Sequence, residues 1–229
     1  LDSAQLGEYD TLLAQLYPYQ LGVQNRLDAQ LAQGPDIVLC HVLRAYSNMT
    51  NGLRSGIAQA SNSLQQAQRL TPSATERERL HVRAFQSWVQ GLLADRFQVL
   101  EGLLVRWSRD LLAYRELTPL LFWTGNNQRQ LAATPHTPGY HLILGAMAFA
   151  LEEAGRFDLA EDFAKEALQE QLTDLWDLPA LAHVHEMSRQ SLACDHAISA
   201  VAQRFNDFSL FRGHLWWYLT LLKVMLYLY

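Results

Sequence analysis

Cysteine is nearly missing from this chain: Cys40 and Cys194 are the only two in 229 residues. Thiols so few and so far apart exclude a disulfide framework and a zinc knuckle, and they read as buried thiols of a reducing cytoplasm. Gly-rich phosphate loops, a Ser or Cys nucleophile elbow and a Rossmann fingerprint are also absent. No basic stripe is present. The net charge is −5, and Arg77, Arg79 and Arg83 lie among acids, so counterion release offers no drive onto nucleic acid. Long hydrophobic runs are lacking too. The most apolar stretch, "LWWYLTLLKVMLYLY", has 15 residues and includes Lys223, short of the roughly 20 needed to span a bilayer. The first residues, "LDSAQLGEYD", show neither a basic n-region nor an apolar h-region, so no secretory signal is predicted. Without one, Asn48-Met49-Thr50 is a chance match to the glycosylation sequon. The expected location is the cytoplasm.

What the chain does have is a high apolar fraction, 49% against 18% charged, enough for a sizeable core and too apolar for disorder. Long runs of Ala, Leu, Gln, Glu and Arg, with no alternating β-branched segments, predict an all-α fold. The helices repeat. Pro138 to Leu172 reads as a first helix with Leu144, Met147, Ala148 and Leu151 on one face, then a Gly155-Arg156-Phe157 turn. The second helix carries Ala160, Ala164 and Ala167. Small residues at 148, 160 and 167 let antiparallel helices approach closely, which is the tetratricopeptide pattern. Ala60, Leu64 and Ala67 keep the same spacing, with Pro72 following, and a further pair surrounds Phe97. A pair over Leu111 to Ala133 is poorly marked.

Pairs therefore open near residues 35, 72, 108, 138 and 173, at intervals suited to a helix-turn-helix solenoid. The expected organisation is N-terminal capping helices over 1–34, broken at Tyr17-Pro18. A domain of about five helix pairs follows over 35–229 and ends in an apolar helix, 209–229. The fold expected is a tetratricopeptide-like superhelix of antiparallel helix pairs, an α-solenoid. In "SATERERLHV", Ser73 or Thr75 is expected to cap a helix, with Glu76 and Glu78 in its first turn and Arg77 and Arg79 in solvent.

Two clusters are candidates for chemistry. "LAHVHEM" holds His183, His185 and Glu186. Two histidines two apart point roughly 200° from each other on a helix, so they cannot share a metal, and the zincin spacing is missing. No metal or other cofactor is expected. His183 and Glu186, three apart, share a face and form a candidate pair, either structural or general base and orienter. "FRGHLWWYLTLL" places His214, Trp217, Tyr218 and Leu221 along one face, with Trp216 beside it. Such a stripe either packs on the preceding helices or floors a ligand groove.

At "GRFDLAEDFAKEAL", "LAHVHEM" and "GHLWWYL" the chain resembles the tetratricopeptide repeat protein 38 family, best from about Glu76 to Leu222. His183, Glu186, Met187, His214, Trp216 and Trp217 stand where that family has its motif residues. Pro179 and Tyr218 stand where it usually has histidines. The resemblance implies a helical-repeat fold and no defined activity. Members usually continue past the Trp-Trp helix, which predicts that the terminal helix here is covered by another subunit, a partner or further chain.

The sequence thus predicts a helical-repeat interaction or scaffold protein that binds a protein partner or self-associates as a homo-oligomer. Its apolar helix, with Trp216, Trp217, Tyr218 and Leu221, is the expected contact surface. The alternative is an enzyme or small-molecule binder with His183, Glu186 and His214 converging over Trp216 and Trp217.

Overall fold

The computed structural model describes residues 3–16, 20–50, 53–125, 140–170, 177–187, 191–207 and 212–228. Among them the backbone forms twelve α-helices and no strand. The fold is all-α. It divides into two compact units, Leu1–Leu16 with Gly22–Leu117, and Tyr17–Leu21 with Thr118–Tyr229. The division falls inside α7 (Leu111–Trp123), beside Pro119. A proline there has no N–H to give the carbonyl of Arg115, so the helix ladder lacks a bond at that point.

The first unit contains α1 (Ser3–Leu16), α2 (Val23–Gln33), α3 (Val38–Thr50), α4 (Arg54–Leu70), α5 (Glu76–Val89), α6 (Leu93–Arg106) and the start of α7. Residues 1–34 thus carry two helices. The expected break at Tyr17-Pro18 lies outside the described residues. α3 packs on α4 and α5 on α6, and α5 also rests on both helices of the preceding pair. Ala60, Leu64 and Ala67 are buried, as their spacing requires if α4 is to lie close on α3. The core is built on Leu12, Leu27, Leu43, Tyr46 and Phe85, and the ring of Tyr46 meets that of Phe85 edge to face at 4.8 Å.

Thr75 caps α5 in a capping box, its hydroxyl accepting from the Glu78 amide while Glu78 reaches back to the Thr75 amide. Arg77 departs from expectation. Rather than standing free in solvent, it donates from Nε to Asp110 at 2.6 Å. Arg79 stays exposed, as expected, while donating to the carbonyl of Ala74. Cys40 is buried, and desolvation, with Glu8 adding, pushes its thiol up to about 12, far from thiolate chemistry. The side chain of Cys194 is outside those described. Asn48 is buried in α3, which leaves no room for a glycan there.

The second unit contains the rest of α7, α8 (Tyr140–Glu153), α9 (Phe157–Glu170), α10 (Asp177–Met187), α11 (Ser191–Val201), a 3-10 segment Ala202–Asp207 and α12 (Arg212–Leu228). The segment Tyr17–Leu21 belongs here, and the Leu21 amide donates to the carbonyl of Asp207 at 2.9 Å. The second helix expected after α7 lies outside the described residues.

α8 ends at Gly155 with φ 71°. The amides of Gly155 and Arg156 bond back to the carbonyls of Glu152 and Leu151, at 2.9 and 2.8 Å, a Schellman closure that needs a left-handed residue. Gly91 closes α5 the same way in the first unit. Its φ is 72°, and the amides of Gly91 and Leu92 bond to Trp88 and Ser87. After the Gly155 turn, Ala148, Ala164, Ala180 and Leu181 meet in one buried cluster, and Leu151, Ala160 and Val184 in another that Phe157 flanks. Alanines at the crossing let α10 sit against both α8 and α9.

Candidate functional site

α10 sends its two histidines to different surroundings, as residues two apart on a helix must go. His185 is buried with Nδ1 unpartnered. His183 is half-buried and turned toward α8, where its Nδ1–H donates to Glu152 Oε2 at 3.3 Å. The expected orienting carboxylate was Glu186. It is exposed, and the carboxylate that reaches the ring comes from the neighbouring helix instead. Glu152 stands one turn ahead of Gly155, on the part of α8 that α10 packs against.

The ring of Tyr218 lies between two imidazoles. Its centroid is 5.1 Å from that of His183 and 4.6 Å from that of His214. His214 is exposed and stacks on Trp217 at 5.9 Å, while Phe149 lies 6.4 Å from His183. The hydrogen bond to Glu152 raises the pKa of His183 against the opposing effect of burial, and the charges of Glu152, Glu186 and Glu153 add to the rise. Partial desolvation lowers His214, and the nearby charge of His183 lowers it further. One ring therefore holds its proton more tightly than an ordinary histidine, and the other less.

The stripe expected on α12 does not stay on one face. Leu215, Tyr218 and Leu222, spaced three and four, enter a core with Leu178, Ala182, Ile198 and Phe205. His214, Trp217 and Leu221 face out. Trp217 is 53% exposed and its neighbour Tyr218 6%, because each residue turns the helix about 100° and the core boundary runs between them. Trp216 meets Phe205 edge to face at 5.0 Å yet stays exposed. Exposed apolar side chains continue along the outer side through Val224, Met225 and Tyr227. Lys223 is tied to Asp195 of α11 at 2.6 Å.

Among the described residues, no group of three or more His, Cys, Asp or Glu side chains is arranged to hold a metal ion. No described helix is long and apolar enough to cross a membrane.

The first unit holds two polar centres that the sequence reading missed. The Asp110 side chain is fully enclosed, with His81 Nε2 at 2.9 Å and Arg77 Nε at 2.6 Å. It also accepts from the Ala113 amide at 2.9 Å, capping α7. Burial opposes its charge, but the hydrogen bonds and charges of His81 and Arg77 prevail and hold the carboxyl well below the usual range. In the second centre Glu116 receives Arg96 at 2.8 Å and also Arg115, all three buried. The Arg96 guanidinium lies 4.1 Å from the Trp88 ring centroid. An aspartate just ahead of the apolar start of α7 was the one available signal, since that is an N-cap position. Its partners, 29 and 33 residues away, left none.

The chain matches no family model.

Proposed function

We propose that this chain is a helical-repeat interaction protein of tetratricopeptide-like, α-solenoid build, working in the cytoplasm, and that the outer face of α12 binds a protein. The carrying observation is that face. Trp217, Leu221, Val224 and Met225 form an exposed apolar stripe, with Trp216 and Tyr227 at its shoulder. Apolar surface of this kind concentrated on one helix marks an interaction site. The repeat reading is supported by the shared Gly91 and Gly155 closures and by helices such as α5 and α10 that rest on both members of the preceding pair. It also accords with the resemblance to the tetratricopeptide repeat protein 38 family.

Light scattering after size exclusion, on the full chain and its Leu221→Glu variant, tests the reading. Leu221 is on the exposed side, so the variant is expected to fold normally while losing binding, whether to a second copy or to another protein. An unchanged assembly state and unchanged partner binding would remove the proposal.

A second reading takes the His183–Tyr218–His214 cluster as a small-molecule site. Its support is the pair of histidines shifted in opposite directions around one ring, an arrangement that separates acid from base roles. Glu152, not Glu186, would orient His183. Ligand-observed NMR with a fragment set tests it. Hits must vanish in both His183→Ala and His214→Ala, and their survival would end this reading.

A further inference from the structure

The exposed side of α12 carries almost no charge. After Arg212 at its start, Lys223 is the only lysine, arginine, aspartate or glutamate of the helix, and it is tied to Asp195. His214 stands on the outer side, where partial desolvation and the charge of His183 favour its neutral ring. The helices α10 and α11 and the 3-10 segment pack on α12. α10 meets it from within, through Leu178, Ala182 and His183. α11 brings the committed Asp195, and the 3-10 segment one charge of each sign, Arg204 and Asp207.

Such a face suits a copy of itself. In a two-fold contact the same surface meets itself, so a fixed charge meets its like, and the outer face of α12 holds none to repel. A lipid surface is instead held by lysines and arginines flanking the apolar residues, whereas α12 has two cations and one of them is bound to Asp195. A foreign partner selected by charge finds no pattern to read. The area is sufficient. The exposed parts of Trp216, Trp217, Leu221, Val224, Met225 and Tyr227 leave roughly 600 Å² on each copy. A pair would bury about 1,200 Å² in all, the lower end of specific interfaces.

Shape sets the pairing. Seven residues are nearly two full turns, so Gly213, Thr220 and Tyr227 form one row along the helix, with Trp217 and Val224 in the next. All five are exposed. Tyr227 is 83% exposed, and Gly213 has open space where a Cβ would stand. Two copies of α12 laid antiparallel and centred on Thr220 set each Tyr227 over Gly213 of the other copy. Each Trp217 then lies over Val224 of the other copy, and Leu221, one residue from the centre, faces Leu221. The Thr220 hydroxyl donates to the carbonyl of Trp216 at 2.8 Å, so the centre can be covered without stranding a polar group.

We propose that α12 pairs with α12 of a second copy of this chain, in an antiparallel two-fold dimer centred on Thr220. This rests on the reading of α12 as a protein-binding surface and names its partner.

Sedimentation velocity on the full chain over a concentration series tests it. A monomer–dimer equilibrium in the micromolar range is expected from an interface of this size. Leu221→Glu and Leu221→Lys should each weaken the dimer about tenfold or more. An equal mixture of the two should restore it, because opposite charges then meet across the axis. Gly213→Leu should also weaken it, while the melting temperature of the dilute chain holds or rises, since the new side chain meets nothing of its own chain. A chain that is monomeric throughout would overturn the second copy alone and leave the stripe to a different protein. A dimer dispersed by both Leu221 variants but not restored by their mixture would overturn the two-fold pairing while the docking surface stands. A dimer indifferent to all three variants would place self-association elsewhere and remove α12 from it.

Discussion

His183 and Glu152 sit 31 residues apart in sequence, on α10 and α8, and meet with Nδ1 3.3 Å from the carboxylate oxygen. The pair favours the protonated ring, so the folded-state pKa of His183 is above its ordinary value of 6.5. The sign of the coupling follows. The pair's stabilisation is complete below about pH 6.5, where even the unfolded chain holds the proton, and is lost as pH rises through the folded-state value. In Glu152→Gln the His183 titration is expected to move to lower pH, as followed by side-chain NMR of the imidazole. A midpoint unchanged from the native chain would show that Glu152 is not its partner.

Asp110 presents the opposite sign. Its carboxyl is depressed by His81 and Arg77, so its stabilisation is present above about pH 4, the unfolded value, and is lost as pH falls toward the folded one. Replacing it by Asn leaves Arg77 and His81 without their carboxylate and is expected to cost about 3–5 kcal/mol. Urea unfolding at pH 7 measures this. A loss below about 1 kcal/mol would mean that the enclosed pair adds nothing beyond a replaceable cap.

Two glycines of similar exposure should respond in opposite directions. Gly155 has φ 71° with open space where a Cβ would stand. Gly155→Ala is therefore strained by backbone conformation alone and should lose about 1 kcal/mol. Gly102, within α6 and equally unobstructed, should gain about 0.5–1 kcal/mol as Ala through helix propensity. Chemical denaturation of both variants checks the pair. Stabilisation at Gly155 would mean that its turn does not need the left-handed residue.

Adjacent aromatic residues on α12 should separate stability from binding. Tyr218→Ala empties a packed position among Leu178, Leu215 and Leu222 and is expected to cost about 3 kcal/mol. Trp217→Ala removes an exposed ring and should change stability by no more than about 0.5 kcal/mol, while weakening whatever binds the outer face. Thermal melts with sedimentation velocity distinguish the two. A large stability loss at Trp217 would place that ring in the core.

Local spacing was enough for the sequence to determine the helices, the turn at Gly155 and the burial of Ala148, Ala160 and Ala167. Helix periodicity, a left-handed glycine and small residues at a crossing are encoded within a few positions of one another. The same locality explains the Thr75–Glu78 capping box, whose partners are three residues apart. Tertiary structure decided what locality cannot encode. It chose Glu152 over the nearer Glu186 for His183, and it drew Arg77 from solvent onto Asp110. On α12, apolar residues surround the helix, so the stripe that periodicity offered, His214, Trp217, Tyr218 and Leu221, was not the inner face. Packing against Leu178, Ile198 and Phe205 turned Tyr218 inward and left Trp217 outside. A side chain's partner across helices depends on how those helices cross, and that is set by the sum of their packed faces rather than by any one segment.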